Sequence, residues 1–161
     1  MGAGFALDSI DRQILGVLQK DATASNKEIA EQVGLSTNPC WRRIQRLQEA
    51  GVIKRRVAVL DAKKLGLGTT AFVLVKTGQH DKAWLETFAN GVRRIPEITE
   101  CHRTSGSVDY LLKIVVRDIE HYDEVYQSLI RYVPGISDVT SIFSMEQMKD
   151  DTALDLRTAP R

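Results

Sequence analysis

The feature that most restricts what this chain can fold into is a repeat of 38 residues in its second half. Shifted by that interval, Phe72-Val73-Leu74-Val75 falls on Tyr110-Leu111-Leu112-Lys113, Trp84 on Tyr122, Phe88 on Tyr126 and Arg93 on Arg131. Ile95-Pro96 with Ile98 falls on Val133-Pro134 with Ile136. Each copy reads as a strand, a helix, a proline-marked turn and a second strand. In the second copy Tyr122, Val125, Tyr126, Leu129, Ile130 and Val133 recur at helical spacing, so one helix face is apolar and packs down while the other stays charged. A doubled βαβ unit of this kind is the ferredoxin-like βαββαβ arrangement, two helices on one face of a four-stranded antiparallel sheet. Two helices cover one sheet face, so the other face, or its edge, is expected to form a dimer interface.

The front of the chain has a different grammar. In residues 25–56, SNKEIAEQVGLSTNPCWRRIQRLQEAGVIKRR, Ser25 followed three places later by Glu28 is a capping box, so a helix starts at Asn26. Ile29, Ala30 and Val33 share one side of it, and Gly34 ends it. Ser36 caps a second helix, predicted over residues 37–50. Ala30 is small enough for another helix to approach, and Gly34 supplies the turn four places later, as a helix-turn-helix requires. On the second helix Cys40, Ile44 and Leu47 point one way, with Trp41 at their flank; Asn38, Arg42, Gln45, Arg46 and Glu49 point the other. These are side chains able to reach base edges and phosphates from the major groove, although an arginine-rich outer face is also what a merely solvated helix shows. Upstream, Asp8 reads as an N-cap with Asp11 near the start, and Ile10, Ile14, Val17 and Leu18 form the stripe of a helix ending near Lys20. Downstream, residues 52–60 suit a strand or wing. Lys54, Arg55 and Arg56 at its front suit phosphate contact and a solvated strand end equally well.

The expected organisation is therefore α+β: a DNA-binding domain over residues 1–60, a linker over 61–68 (DAKKLGLG), a ferredoxin-like domain over 69–150 and a tail over 151–161. The net charge of +1 conceals a division: residues 1–60 carry nine Lys and Arg against six Asp and Glu, and residues 69–150 carry nine against twelve. Nucleic acid is thus a partner for the front alone, and the small excess implies that several copies act together. No apolar run reaches the roughly 20 residues that span a bilayer, so a cytoplasmic protein is expected, with no membrane partner. Cys40 and Cys101 lack metal-ligand spacing, no phosphate-cradling glycine loop is present, and neither metal nor cofactor is expected. Cys101 and His102 are adjacent in a predicted strand and so point to opposite faces, which denies them a nucleophile–base pairing. His80, His102 and His121 show no ligand context. Enzymatic function is not expected.

Between the two repeat copies lies the loop 104–110, TSGSVDY. Its backbone N–H groups can meet a carboxylate and Asp109 an ammonium, which together would hold a zwitterion. An ordinary hairpin, with its glycine at positive φ and its aspartate bonding the turn, accounts for the composition more simply.

With these pieces in place, LSTNPCWRRIQRLQEAGVI, the hinge and SGSVDYLL together resemble the Lrp/AsnC (leucine-responsive regulatory protein) family of transcription regulators, over residues 7–156. The resemblance implies a winged helix-turn-helix followed by a ligand-binding RAM domain, dimers that commonly assemble into octamers, and an amino acid effector bound between dimers. It places DNA contact on Ser36, Thr37, Asn38, Arg42, Arg43 and Arg46. It places effector sensing on Thr104, Ser105, Gly106, Ser107, Asp109 and Tyr110, with Ile119, Phe143 and Ser144 near positions used in response. Ser107 stands where many members are acidic. TTAFVLVKT, Pro-Cys-Trp at 39–41 and SDVTSIFSMEQMK are similar to a branch that responds to cysteine; branched-chain and other amino acids come next. The competing expectation is an architectural protein that bends or compacts DNA without an effector.

Overall fold

The structure, a computed structural model, describes residues 5–159. They form two compact units, residues 5–59 with 149–159, and Leu60–Met148.

Three helices build the first unit: α1 (Ser9–Lys20), α2 (Asn26–Gln32) and α3 (Thr37–Glu49). The first two open on capping boxes. The Asp11 N–H donates to the Asp8 carboxylate at 2.7 Å and the Asp8 N–H to Asp11 at 3.3 Å; Ser25 and Glu28 exchange the same pair of bonds at 3.2 and 2.8 Å. Gly34 then turns the chain with φ 69°, a conformation that costs a side chain but not glycine. Ile14, Leu15, Ile29, Ala30, Val33, Cys40, Ile44 and Leu47 close the core. Ser36 does occupy the N-cap of α3, yet its hydroxyl makes no capping bond and stays exposed.

Two expectations for this unit need correction. Residues 52–60 form no strand, because no second extended segment of the described chain pairs with them; Val57, Val59 and Leu60 are exposed there. Residues 151–159, the described part of the expected tail, are not separate from this unit. Leu156 packs against the three-helix core, its carbonyl accepts from Arg12, and Gln19 both donates to the Leu154 carbonyl (3.2 Å) and accepts the Leu154 N–H (2.7 Å).

The second unit holds β1 (Thr69–Thr77), α4 (Lys82–Arg93), β2 (Ile98–Arg103), β3 (Tyr110–Val116), α5 (Ile119–Tyr132) and β4 (Ile136–Phe143). All strand pairs are antiparallel in the order β2-β3-β1-β4, the ferredoxin-like topology expected from the repeat. Ala71, Val73 and Val75 of β1 and Tyr110, Leu112, Ile114 and Val116 of β3 are buried with Trp84, Phe88 and Val92 of α4 and Tyr122, Val125 and Leu129 of α5. The helices cross closely at Gly91, where a Cβ would lie 2.7 Å from the Tyr132 carbonyl oxygen.

The repeat interval holds for the helices but slips in the strands. Trp84 and Tyr122, and Ile95 and Val133, are buried alike 38 residues apart, whereas buried Val73 falls on Leu111 of the opposite face. The buried strand residues superpose at 39, with Ala71 on Tyr110, Val73 on Leu112 and Val75 on Ile114. The first copy has one more residue between strand and helix, and a one-residue slip inverts every side chain of a strand.

Candidate nucleic-acid interface and effector loop

Rotation along α3 sorts its side chains into three groups. Cys40, Ile44 and Leu47 enter the core. Thr37, Asn38, Arg42 and Glu49 are exposed on the outer side, continuous with exposed Ser36, and no hydrogen bond or ion pair holds Arg42 among the described residues. Arg43 and Arg46 lie on the remaining flank, toward α1. Arg43 Nη1 is 2.6 Å from Asp8 Oδ2 and 2.8 Å from Asp11 Oδ1, and Arg46 Nη2 is 2.5 Å from Asp11 Oδ2. Hydrogen bonds to Asp8 and then Asp11 push the Arg43 guanidinium above its ordinary pKa. The Asp11 N–H, and after it Arg43, hold the Asp8 carboxyl below the usual range. Trp41 is 47% exposed beside this surface. Lys54, Arg55 and Arg56 are exposed after α3, Arg56 donating to the Ala22 carbonyl at 3.4 Å. The part of Asp11 in holding two α3 arginines is not apparent from sequence, where 32 and 35 residues separate the partners.

The residues expected to sense an effector fall into two groups. Loop 104–109 joins β2 to β3. The Thr104 N–H donates to the Asp109 carbonyl at 2.9 Å, the Thr104 hydroxyl to the Val108 carbonyl at 2.6 Å, and Gly106 sits at φ 138°. Ser105, Gly106 and Ser107 stand exposed at the tip. The side chain of Asp109 does not bond its own turn, as that of an ordinary hairpin aspartate would; its Oδ2 accepts the Thr77 N–H at 2.9 Å, at the end of β1. Its Oδ1 lies 4.0 Å from His80 Nδ1. Thr77 and His80 thus join the loop, and nothing in their local sequence signals it.

Tyr110 does not line this loop. Its ring stacks on Phe88 with centroids 3.9 Å apart and is 4% exposed, because β3's pleat turns it toward the helices. Ile119, exposed, begins α5 just beyond the far end of β3, and Phe143, which meets the Tyr122 ring edge-on at 4.9 Å, ends β4 beside it. Ser144 continues from there, its N–H donating to the Thr70 carbonyl. β3 runs between the two groups, and its length separates them by roughly 20 Å. The loop and Ile119, Phe143 and Ser144 are therefore not brought together within one chain.

The sheet face away from the helices carries Phe72, Leu74, Leu111, Val115 and Ile142, with Glu100 bonded to Lys113 (3.0 Å) and His102 (3.3 Å) at one side. Cys101 pairs across from Leu112 and His102 from Leu111, on opposite faces. No helix among the described residues is long and apolar enough to cross a membrane.

Comparison with known proteins matches both units. Residues 70–154 match the model of the Lrp/AsnC ligand binding domain, and residues 7–54 that of a winged helix-turn-helix DNA-binding domain. The chain is 48% identical to the DNA-binding transcriptional activator DecR of Escherichia coli (strain K12), over 92% of this chain and 97% of that protein. It is 47% identical to a glutamate uptake regulatory protein of Zymomonas mobilis, over 93% and 91%. Among solved structures, an AsnC family transcriptional regulator from Agrobacterium tumefaciens superposes with a TM-score of 0.89 at 48% identity, covering 94% of this chain and 98% of the other. A Neisseria meningitidis regulator in complex with L-Met gives 0.87 at 34% identity, covering 94% and 97%.

Proposed function

We propose, for a chain that belongs to the Lrp/AsnC family of DNA-binding transcription regulators, that Thr37, Asn38 and Arg42 read base edges in the major groove while Ser36, Lys54, Arg55 and Arg56 engage phosphates. The observation that carries this reading is the sidedness of α3: Cys40, Ile44 and Leu47 are buried, while Thr37, Asn38, Arg42 and Glu49 stand exposed on the outer side around a half-exposed Trp41. Arg43 and Arg46 support that surface from the α1 side.

The second unit is the family's ligand-binding domain, and DNA-binding regulation responds to a small amino acid through it. The exposed tip at Ser105, Gly106 and Ser107, with Thr104 at its base, offers N–H and hydroxyl groups to the effector carboxylate, and Asp109 Oδ1 faces the ammonium. Because Ile119, Phe143 and Ser144 lie at the far end of β3, a ligand touching both groups has to bridge copies. Homodimers meeting through the apolar sheet face, and assembling further toward an octamer, supply that arrangement. Cysteine is the first effector to test. Glutamate and methionine follow, since one relative is named for glutamate uptake and another was solved with L-Met.

A thermal-shift panel of the twenty amino acids tests this. A ligand at about 100 times its Kd adds about 2.7 kcal/mol to stability. Asp109→Asn keeps an oxygen for the Thr77 N–H and removes the charge, so it should abolish the effector-induced shift while sparing DNA binding. If no amino acid moves the melting temperature, DNA affinity or oligomer size, the sensor reading falls.

A further inference from the structure

The DNA-reading helix carries three arginines within five positions, and the structure treats them differently. Arg42 is exposed on the outer side, where nothing in the described chain holds it. Arg43 and Arg46 converge on one carboxylate. Asp11 is fully buried, and both of its oxygens are taken: Oδ1 accepts from Arg43, and Oδ2 from Arg46 and from the Asp8 N–H. Arg43 also bonds Asp8, and the Arg46 guanidinium carbon lies 5.3 Å over the Phe5 ring. A buried carboxylate without partners is strongly unfavourable, so the two arginines are fixed by Asp11's need as much as it is by theirs. Two carboxylates against two guanidiniums leave the cluster with no net charge, and cations already matched in this way release few counterions when a phosphate approaches.

We propose that the arginines of α3 are divided by role. Arg42 is the cation that DNA meets, and Arg43 and Arg46 are held by Asp8 and Asp11 and fix the roll of α3 about its axis, with Asp11 as the positioning residue. The fork geometry of guanidinium makes this specific, because two hydrogen-bonded guanidiniums one turn apart on a single carboxylate permit one rotational setting of the helix. Base-reading side chains one position off that setting would face the groove wall. The proposal rests on α3 being the DNA-reading helix.

The test measures affinity against salt concentration in the full-length protein, using a random-sequence duplex and a duplex enriched by the unmodified protein from a random pool. Arg42→Gln should make the log–log salt slope shallower by about 0.9, the share of one phosphate contact, and leave the melting temperature unchanged. Arg43→Gln and Arg46→Gln should leave the slope unchanged and lower the melting temperature. Asp11→Asn should steepen the slope on random DNA by about 0.9, as Arg46 is freed while Asp8 still holds Arg43, and reduce preference for the enriched duplex about tenfold. Asp21→Asn, an exposed change of equal charge, should do neither. A carboxylate that merely stabilised the fold would lower affinity for both duplexes together. The division is overturned if Arg43→Gln and Arg46→Gln flatten the slope as Arg42→Gln does, or if folded Asp11→Asn keeps its preference. Should Asp11→Asn fail to fold, the arginine slopes decide. If Arg42→Gln leaves both slope and preference unchanged, α3 is not the reading helix and the proposal falls with it.

Discussion

Asp8 performs two tasks with its two oxygens: Oδ1 accepts the Asp11 N–H and caps α1, while Oδ2 holds Arg43. Both bonds favour the ionised carboxylate, so its pKa in the folded protein lies below the 3.8 of a free aspartate. A carboxyl whose folded pKa is depressed stabilises the fold above its unfolded pKa, and that contribution disappears as pH falls through the folded value. Asp8→Asn retains a competent N-cap but no charge. It should melt lower than the unmodified protein at pH 7, and the gap should close as pH drops below about 4, read by thermal melts across pH. The side chain is 48% exposed, so solvent screens the pair and the effect stays small. The capping role of Asp8 is readable in sequence because an N-cap and its partner sit three residues apart. Its hold on Arg43 is not, because the two lie 35 positions apart. Asp109 behaves similarly: its place in a turn is visible from SGSVD, but its bond to Thr77 depends on how β1 and β3 pair.

The helices were legible almost to the residue where a local device marked them, as at Asp8, Ser25 and Gly34. What escaped the sequence depends on pairing. A strand over residues 52–60 has the right composition but no partner among the described residues, and the repeat interval tracks the helices while inverting the strand faces. Gly91 shows the same dependence inside a helix. Glycine in a helix interior costs about 1 kcal/mol relative to alanine, so an isolated α4 would gain from Gly91→Ala. Here the added Cβ would meet the Tyr132 carbonyl oxygen and Val133 Cγ2, each at 2.7 Å, and a backbone atom cannot rotate away. The substitution should destabilise the second unit by about 1–3 kcal/mol despite the better helix propensity. Urea denaturation checks this, and a raised midpoint would mean that α4 and α5 separate readily.

Across the whole molecule, the sheet presents two apolar faces and the chain supplies helices for one. Phe72 and Ile142 are 37% and 53% exposed on the other, flanked by Leu74, Leu111 and Val115. A charge placed at the centre of this face should prevent two copies from meeting while leaving each copy folded, since the site is solvated in a monomer. Phe72→Glu is expected to sediment as a monomer with its melting transition retained and its DNA affinity reduced through loss of paired binding. An unchanged sedimentation coefficient would move the interface elsewhere.

The strap of residues 149–159 carries a consequence for how the protein is made. It joins the first helix through bonds that span as many as 147 residues, with the entire ligand-binding unit threaded between them. Contacts that distant in sequence form late, because the intervening loop must close before they are rewarded. The DNA-reading unit is therefore begun first on the ribosome and finished last. It acquires its final contacts only after the sensing sheet has been synthesised.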